Sequence, residues 1–328
     1  MQRQPLSRRR LLAVGAGLLA APAVARAQGF PNRPIRLIVG FPPGGGADAF
    51  ARLVGPYLTE RLGRPIVVEN RSGANGLLAT EFVSKATPDG HTLLLSTSSA
   101  MVAAPLSTPN MPVNPIRDLT HISMATESEF VMLVAPGLPV RSFQEFLALA
   151  KREQGKLVHA TPGIGSANHV AAELLSLREG VSLNTVHYRG SAPIFADLIS
   201  NQVQMTIASV GLAEPFVKDG RARALLLFSK ARTPQLPEVP TSAEAGLADI
   251  DQITLWFGLH GPKDMPMAIA RQIREALVEA YRVEALKDRM AALALKQIAD
   301  TSEAFTARME SDLRLYGEIF RTANIRIE

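Results

Sequence analysis

Short apolar runs alternate with amphipathic segments from Pro34 to about Arg232. The apolar runs are rich in Leu, Ile and Val, and many of them are continuous, with no polar residue at every second position. Continuous runs suit parallel strands that are covered by helices on both faces. The pattern therefore predicts an α/β fold with right-handed crossovers. The predicted strands are IRLIVGF, PIVVE, TLLLS, VMLVA, KLVHA, TVHYR, QMTIA and ALLLF, and clear helical segments between them are FQEFLALAKRE and AAELLSLRE.

The pattern becomes helical after Pro266. The segments AIARQIREALVEAYRVEALKDRMAALAL and SEAFTARMESDLRLYGEIF are rich in Ala, Leu, Glu and Arg, which predicts a C-terminal helical extension. A chain of 328 residues is longer than one hydrophobic core usually holds, so two lobes are expected. We expect the second lobe to be an insertion over residues 131–251 and the first lobe to combine residues 28–130 with residues 252–328. The chain would then cross between the lobes twice.

Residues 1–27 have the features of an export signal. They combine a basic start, an apolar stretch of roughly 15 residues and the small-residue end Ala25-Arg26-Ala27, which makes Gln28 a candidate first residue of the mature chain. Ser7-Arg8-Arg9 followed by Leu11-Leu12 favours twin-arginine export, with general secretion as the alternative. Either route predicts a periplasmic protein. Because no later segment is long and apolar enough to cross a bilayer, the mature chain is not expected to span the membrane.

Charge and composition remove several classes of function. The formal net charge is +5, and the five arginines among residues 1–27 account for all of it, so no basic patch indicates nucleic-acid binding. The chain has no cysteine, which excludes disulfides, thiolate metal sites and a cysteine nucleophile. The histidines outside the glycine-rich loops show no metal-ligand spacing, and we expect neither a metal nor a cofactor. These histidines are His91, His121, His159, His187 and His260.

The most informative feature is a glycine-rich turn that occurs twice. Pro43-Gly44-x-Gly46 matches Pro162-Gly163-x-Gly165, and each turn follows an apolar strand and opens a helix. A helix start exposes unpaired N–H groups and about half a positive charge, and glycines let a ligand approach the backbone, so each turn predicts an anion site. Neither turn matches the phosphate-loop, dinucleotide or acyl-transfer motifs. The alternative is two tight turns without a ligand.

Polar side chains accompany both turns. Asp48 could face an anion site, but a structural role in capping its helix is favoured. Ser166 and Asn168 supply side-chain donors at the second turn. His169 either lines the same cleft or packs in the core.

Longer motifs place the chain in a family. The segments PNRPIRLIVGFPPGGGADAFAR, VVENRSGANG, ATPDGHTLLLST, KLVHATPGIGSANHVAAELL, VHYRGSAPIFADLISNQVQM, RARALLLFS, LPEVPTSAEAG and WFGLHGP follow one another across the whole mature chain. In this order they resemble the Bug receptors, the extracytoplasmic solute-binding proteins of the tripartite tricarboxylate transporter (TctC-like) family. The resemblance implies a type II-like, two-lobe periplasmic binding protein with a mainly parallel sheet in each lobe. It implies a monomeric receptor, not an enzyme, that holds a small carboxylate in the cleft between its lobes. Its partner would be a membrane permease or a sensor protein.

The resemblance also implies which residues line the ligand. Ala47 stands where the family commonly has a hydroxyl residue, Ser209 where it has an acid or amide, and Asn168-His169 where Ser-His is commoner. These departures favour a simple carboxylate over an amino acid. The implied ligand-binding residues are Phe41, Pro43, Gly44, Gly45, Gly46, Ala47, Asp48, Thr97, Ser98, Thr161, Gly163, Ile164, Gly165, Ser166, Ala167, Asn168, His169, Gly190, Ser191 and Ser209.

Two other functions stay open at this point. One is a periplasmic sensor that keeps the cleft and passes its signal to a partner. The other is an exported hydrolase that uses Ser166 with His169, which lie three residues apart on one helix face. Among other residues, Trp256 either packs in the core, which is favoured, or stacks on a ligand. Glu69 and Arg71 either pair across the cleft or stay solvated.

Overall fold

The chain forms strands and helices in regular alternation. A computed structural model describes residues 29–108, 111–188 and 190–323, so the predicted signal segment lies outside the described residues. The strands are β1 (Ile35–Val39), β2 (Ile66–Asn70), β3 (Thr92–Thr97), β4 (Leu119–Ser128), β5 (Phe130–Val134), β6 (Val158–Thr161), β7 (Asn184–His187), β8 (Met205–Ser209), β9 (Arg223–Phe228), β10 (Leu255–Pro262) and β11 (Lys296–Gln297). The helices are α1 (Gly46–Leu62), α2 (Leu77–Ser84), α3 (Ala104–Ser107), α4 (Phe143–Arg152), α5 (Ala167–Glu179), α6 (Ala192–Ile199), α7 (Val210–Lys218), α8 (Met267–Ala280), α9 (Glu284–Ala292) and α10 (Ser302–Thr322).

The strands form two sheets, and the predicted α/β class is confirmed. The first sheet has the order β11-β4-β10-β3-β1-β2, and the second has the order β7-β6-β8-β5-β9. We call each sheet with its covering helices the first and the second lobe. Every apolar run that the sequence predicted to be a strand overlaps one of these strands. In the described chain, none of the helices is long and apolar enough to cross a membrane.

Both sheets are mixed, although the resemblance implied mainly parallel ones. In the first sheet, β1 pairs with β2 and β3 in parallel, whereas β10 runs antiparallel to β3 and β4. In the second, β6 is parallel to β7 and β8, whereas β5 is antiparallel to β8 and β9. At β5 and β10 the chain enters a sheet from the other one, without the crossover helix that would restore the direction of the strand. The short edge strand β11 also runs antiparallel to β4.

The chain passes between the sheets at two places. Glu129 alone separates β4 from β5, and the return runs from the end of β9 at Phe228 to the start of β10 at Leu255. This topology supports the predicted boundaries of 131–251 for the second lobe, which we keep as a proposal. Because the link at Glu129 is short, the lobes can move relative to each other mainly by rotation about the crossing segments.

The apolar core covers both faces of the first sheet and continues into the second lobe. Leu37 and Leu95 face the side of α1 and α8, whereas Ile38 and Leu94 belong to a cluster that includes Phe305 on α10. The same cluster contains residues of β5, α4 and α5 in the second lobe. Helix α10 therefore packs against both lobes, which explains why the predicted C-terminal extension is part of the core.

Two core histidines make the fold sensitive to acid. His159 and His260 are fully buried, with 0% exposure. Burial, assisted by His169 and His187, lowers the pKa of His159 to about 3, and burial beside His121 lowers the pKa of His260 well below its usual value. Unfolding returns both imidazoles to an ordinary pKa of about 6.5. The unfolded chain therefore binds more protons than the folded chain in mild acid.

We expect the free energy of unfolding to fall as the pH is lowered below about 6.5, by about 1.4 kcal/mol per pH unit for each of the two histidines until its pKa in the folded protein is reached. Above pH 6.5 their contribution to stability is fully present. Urea unfolding at pH 7, 6 and 5 measures this slope in a range where carboxylates contribute little. His260→Gln keeps a polar group facing Ser96 but does not titrate. In this variant the change of unfolding free energy per pH unit should be smaller by the contribution of one histidine. An unchanged slope in this variant would contradict the assignment.

Candidate functional site

Both glycine-rich turns lie at the points where the sheets reverse their winding. In the first sheet, β2 lies on one side of β1 and β3 on the other, so the loops after β1 and β3 diverge at their carboxyl ends. In the second sheet, β7 and β8 flank β6 in the same way. Ligands of open α/β sheets bind in the crevice at such switch points. The topology thus places Phe41–Gly46 and Thr97–Ser98 at one switch point, and Thr161–Ser166 and Ser209 at the other.

The first turn leaves the start of α1 uncapped. Gly44 has φ +82°, a conformation that favours glycine, and Gly45 is the N-cap residue without any side chain to accept a hydrogen bond. The N–H groups of Gly46 and Ala47 have no acceptor among the described residues. Pro43, Gly44 and Gly46 are exposed, so the turn is open to solvent. These groups form a ready anion site.

Asp48 braces the first turn from behind. It is 3% exposed, and its carboxylate accepts hydrogen bonds from the Gly44 N–H at 3.0 Å, Arg52 Nε at 3.0 Å and Asn70 Nδ2 at 2.9 Å. Burial alone would raise the pKa of Asp48, but these hydrogen bonds outweigh it and lower the pKa. Asn70 also donates to the Phe41 carbonyl at 3.0 Å. Asp48 therefore has a structural role, but it braces the turn before the helix and does not cap α1 as the sequence predicted. Its oxygens face protein donors and not the cleft.

The second turn is built differently, because its own side chains cap it. Gly165 has φ +66°, and its N–H donates to His169 Nδ1 at 3.0 Å. Ser166 is the N-cap residue of α5, and its hydroxyl accepts from the His169 N–H at 3.2 Å. The Thr161 hydroxyl lies 2.8 Å from the Ser166 hydroxyl. All three side chains are buried, so they fix the shape of the turn.

Two predicted donors of the second turn are already used by the protein. The Ala167 N–H donates to Ser99 Oγ of the first lobe at 3.1 Å. Asn168 Nδ2 donates to the carbonyl of Ile207 on β8 at 2.8 Å. Among the described contacts, the N–H groups of Gly163 and Ile164 have no acceptor. The open donors of this turn therefore lie earlier in the chain than the helix start that the sequence indicated.

One short segment connects the two turns in space. A Cβ atom added at Gly76 would lie 3.3 Å from the Phe41 ring and 2.9 Å from Ala100 Cβ, so both residues touch this glycine. Ala100 belongs to the π-helical turn Ser99–Ala103 after β3, whose Ser99 bonds to Ala167. The second turn therefore contacts this segment directly, and Phe41, at the start of the first turn, is linked to it through Gly76.

The remaining predicted residues lie at the edges of this region. Thr97 Oγ1 accepts from the Ala100 N–H at 3.2 Å, and Ser98 Oγ donates to the Thr254 carbonyl at 3.3 Å, so both hydroxyls are engaged. Ser209 and Ser191 are the N-cap residues of α7 and α6, and neither side chain caps its helix. Gly190, with φ +112°, lies with Ser191 beyond β7 at the carboxyl edge of the second sheet.

Sequence reasoning missed several residues that hold the site together. Arg52 could have been found as the i+4 partner of Asp48. Asn70 and Ser99 lie on other elements, and no local pattern connects them with the turns that they brace. Glu69 and Arg71 do not pair across the cleft: Glu69 binds Arg36 on β1 at 2.6 Å, and Arg71 stacks on the Phe82 ring.

A separate polar cavity of about 440 Å³ lies at the segments that cross between the lobes, and its lining includes none of the glycine-rich turn residues. Beside it, Arg308 Nε bonds to Asp312 Oδ1 at 2.8 Å, Arg308 Nη2 donates to Thr254 Oγ1 at 2.9 Å, and Arg308 Nη1 lies 3.4 Å from Glu127 Oε2. Asp312 Oδ2 also accepts from Trp256 Nε1 at 2.8 Å, and Trp256 is fully buried, which confirms its predicted core position. Arg308 thus connects α10 with both crossing segments.

Two lobes joined by two crossing segments, with open backbone donors at the switch point of each sheet, define a binding protein of the periplasmic type. The chain belongs to the tripartite tricarboxylate transporter receptor family, because the model of the "Tripartite tricarboxylate transporter family receptor" matches residues 50–324. The family resemblance that the sequence indicated is thereby confirmed.

Three relatives illustrate this membership. The chain is similar to Protein BugT of Bordetella pertussis, with 32% identity over 97% of this chain and 99% of BugT. It is similar in structure to MatC of Rhodopseudomonas palustris with bound malate, with a TM-score of 0.80, 28% identity and coverage of 88% of this chain and 99% of that one. It is also similar to R. palustris Rpa4515 with adipate, with a TM-score of 0.85, 26% identity and coverage of 91% and 100%.

Proposed function

We propose that this protein is an extracytoplasmic receptor that binds a small carboxylate between its lobes and delivers it to a tripartite tricarboxylate-type transporter. The observation that carries this proposal is the uncapped start of α1 at the switch point of the first sheet, where the N–H groups of Gly46 and Ala47 have no acceptor in the part of the chain that the structure describes. A carboxylate would accept from these groups and interact favourably with the positive end of the helix.

A dicarboxylate would use both turns. Its second carboxylate would meet the open N–H groups of Gly163 and Ile164, since the second turn contacts Ser99–Ala103 and Phe41 of the first turn is linked to that segment through Gly76. The structurally similar proteins with malate and adipate support this class, because both of those ligands are dicarboxylates. The residues proposed to line the ligand are those that the family resemblance implied, except that Asp48 acts as the brace of the first turn.

Ligand capture would use rotation of the lobes about the segments at Glu129 and between Phe228 and Leu255. Closure removes water from the hydrogen bonds between N–H groups and carboxylate, which strengthens them. We expect a dissociation constant in the micromolar range or below, about −8 kcal/mol of binding free energy.

The proposed role is binding without catalysis. The imidazole of His169 faces the Gly165 N–H and Glu173, and among the described contacts neither ring nitrogen bonds to the Ser166 hydroxyl. The Ser166 hydroxyl instead contacts the Thr161 hydroxyl and the His169 N–H. A serine nucleophile needs a general base within hydrogen-bond reach, so this arrangement does not favour the hydrolase alternative.

We further propose export to the periplasm through the predicted twin-arginine signal, with general secretion as the alternative, and action there as a monomer. The partner would be a membrane permease of the tripartite type. The family description supports a transporter partner.

The experiment that tests the function is a thermal-shift and calorimetry series on the mature chain with malate, adipate and citrate. A ligand that binds only the folded protein stabilises it by about 2.7 kcal/mol at a hundredfold excess over its dissociation constant. Adipamide is the control, because it has the length of adipate without the charges. Stabilisation by a dicarboxylate and not by adipamide supports the proposal. No response to any acid, or an equal response to adipamide, contradicts it.

A further inference from the structure

The imidazole of His169 reaches back across the second glycine-rich turn. Its Nδ1 atom accepts the Gly165 N–H at 3.0 Å, and its Nε2 atom lies 3.4 Å from Glu173 Oε1. The ring is buried, with 5% of the residue exposed. An atom that accepts from an N–H cannot itself carry a proton, so the ring proton resides on Nε2 and points to Glu173.

The backbone at Gly165 cannot move so that its N–H reaches another hydrogen-bond acceptor. Its φ of +66° is adopted readily only by glycine, and the direction of a Cβ atom is occupied by Ser107 Oγ at 3.1 Å and the Phe320 ring at 3.2 Å. The first lobe therefore packs directly on this residue. The buried N–H of Gly165 depends on His169 Nδ1 for its hydrogen bond, and the loss of a buried partner is costly.

The orientation of the open donors depends on the same bond. Gly163 and Ile164 directly precede Gly165, and the turn closes when the Ser166 N–H donates to the Gly163 carbonyl at 3.1 Å. If Gly165 shifts, the peptide planes before it are free to rotate, and the open N–H groups of Gly163 and Ile164 change their direction.

We propose that His169, through the Nδ1 atom that accepts the Gly165 N–H, is the positioning residue that holds the second turn in its carboxylate-binding conformation. This inference rests on the proposed function. A proton on Nδ1 would face the Gly165 N–H at 3.0 Å, so two donors would oppose each other and the bond would be lost.

The neighbours of the imidazole hold its orientation. Glu173, on the same helix, has its Oε1 atom 3.4 Å from Nε2 and so faces the ring proton. The ring of His187 on β7 lies edge-on to it, with the two ring centroids 5.0 Å apart. These contacts keep Nδ1 directed at the Gly165 N–H.

The test compares His169→Asn, His169→Leu and the parent chain. Asparagine presents an acceptor near the position of Nδ1, whereas leucine presents none. We expect the dissociation constant for adipate, measured by calorimetry at pH 7.5, to be about tenfold higher in His169→Leu than in the parent, since a tenfold change is about 1.4 kcal/mol. His169→Asn should bind adipate more tightly than His169→Leu, because its amide oxygen restores the acceptor.

A second readout needs no ligand. The ¹⁵N chemical shifts of the His169 ring report the tautomer, and hydrogen exchange of the Gly165 amide reports its bond. We expect an unprotonated Nδ1 in the parent at pH 7.5, and at the same pH faster exchange of the Gly165 amide in His169→Leu than in the parent or His169→Asn. A protonated Nδ1, or equal adipate affinities of His169→Asn and His169→Leu, overturns the inference. If no acid binds but the amide exchanges as expected, the proposed function fails and the role of His169 in the turn stands.

Discussion

The substitution Gly46→Glu is expected to weaken dicarboxylate binding at least a hundredfold, which corresponds to about 3 kcal/mol, and to leave the fold intact. The new carboxylate would lie at the first residue of α1, beside the N–H groups that are proposed to hold the ligand. It would compete for these donors and repel the incoming anion. A carboxylate at the first turn of a helix is itself favourable by about 0.3–1 kcal/mol, so the melting temperature should not fall.

The structure has space for this side chain. A Cβ atom at Gly46 would meet the Phe257 ring at 3.5 Å, an ordinary contact, and the residue is exposed. Gly46→Gln is the matched control, because it has nearly the same size and no charge. Calorimetry with adipate should show a much smaller loss for Gln than for Glu. Equal adipate affinities of Gly46→Glu, Gly46→Gln and the parent would show that the anion binds away from α1.

The substitution Arg308→Met is expected to destabilise the protein by about 3–5 kcal/mol, the usual result of removing one partner from a buried ion pair. The Arg308 side chain is 27% exposed and that of Asp312 is 8% exposed. Burial raises the pKa of Asp312 even though Arg308 and Trp256 act against the rise. Without Arg308, the carboxylate of Asp312 would keep only its bond from Trp256, and Glu127 and Thr254 at the crossing segments would lose their contact with α10.

Urea unfolding of two further variants separates this effect from the general cost of losing an arginine. Arg282→Met removes an exposed ion pair to Glu279 in which the arginine side chain is 71% exposed, and it should cost at most about 0.5 kcal/mol. Asp312→Asn in the Arg308→Met background removes the unpaired charge and should recover part of the stability. Equal costs for Arg308→Met and Arg282→Met would show that the buried network contributes little.

Local sequence patterns identified much of the architecture because their physical causes are local. Continuous apolar runs marked the buried strands, and the paired glycine turns marked both switch points. β4 was not predicted, because its buried face carries polar residues such as Ser123 and Thr126, whose hydroxyls bond to carbonyls after α9. Such a strand lacks the apolar pattern on which the prediction depends.

The candidate site shows the same difference between features that local sequence predicts and features that tertiary packing decides. The open donors at Gly46 and Ala47 follow from a glycine N-cap, which is visible in the sequence. At the second turn, the sequence likewise predicts an open N–H group at Ala167. In the structure, Ser99 of the other lobe accepts a hydrogen bond from this group. Whether an exposed donor remains available depends on what packs against it, and this is decided between segments that are distant in the chain.

Local sequence sets the α/β class and the two turns with their glycines, because each depends on residues within a few positions of one another. It does not show that Asn70 braces the first turn, that Ser99 accepts from the start of α5, or that Arg308 joins α10 to the crossing segments. These contacts join residues on different elements, and only the packing of the two sheets and α10 brings them within hydrogen-bond distance.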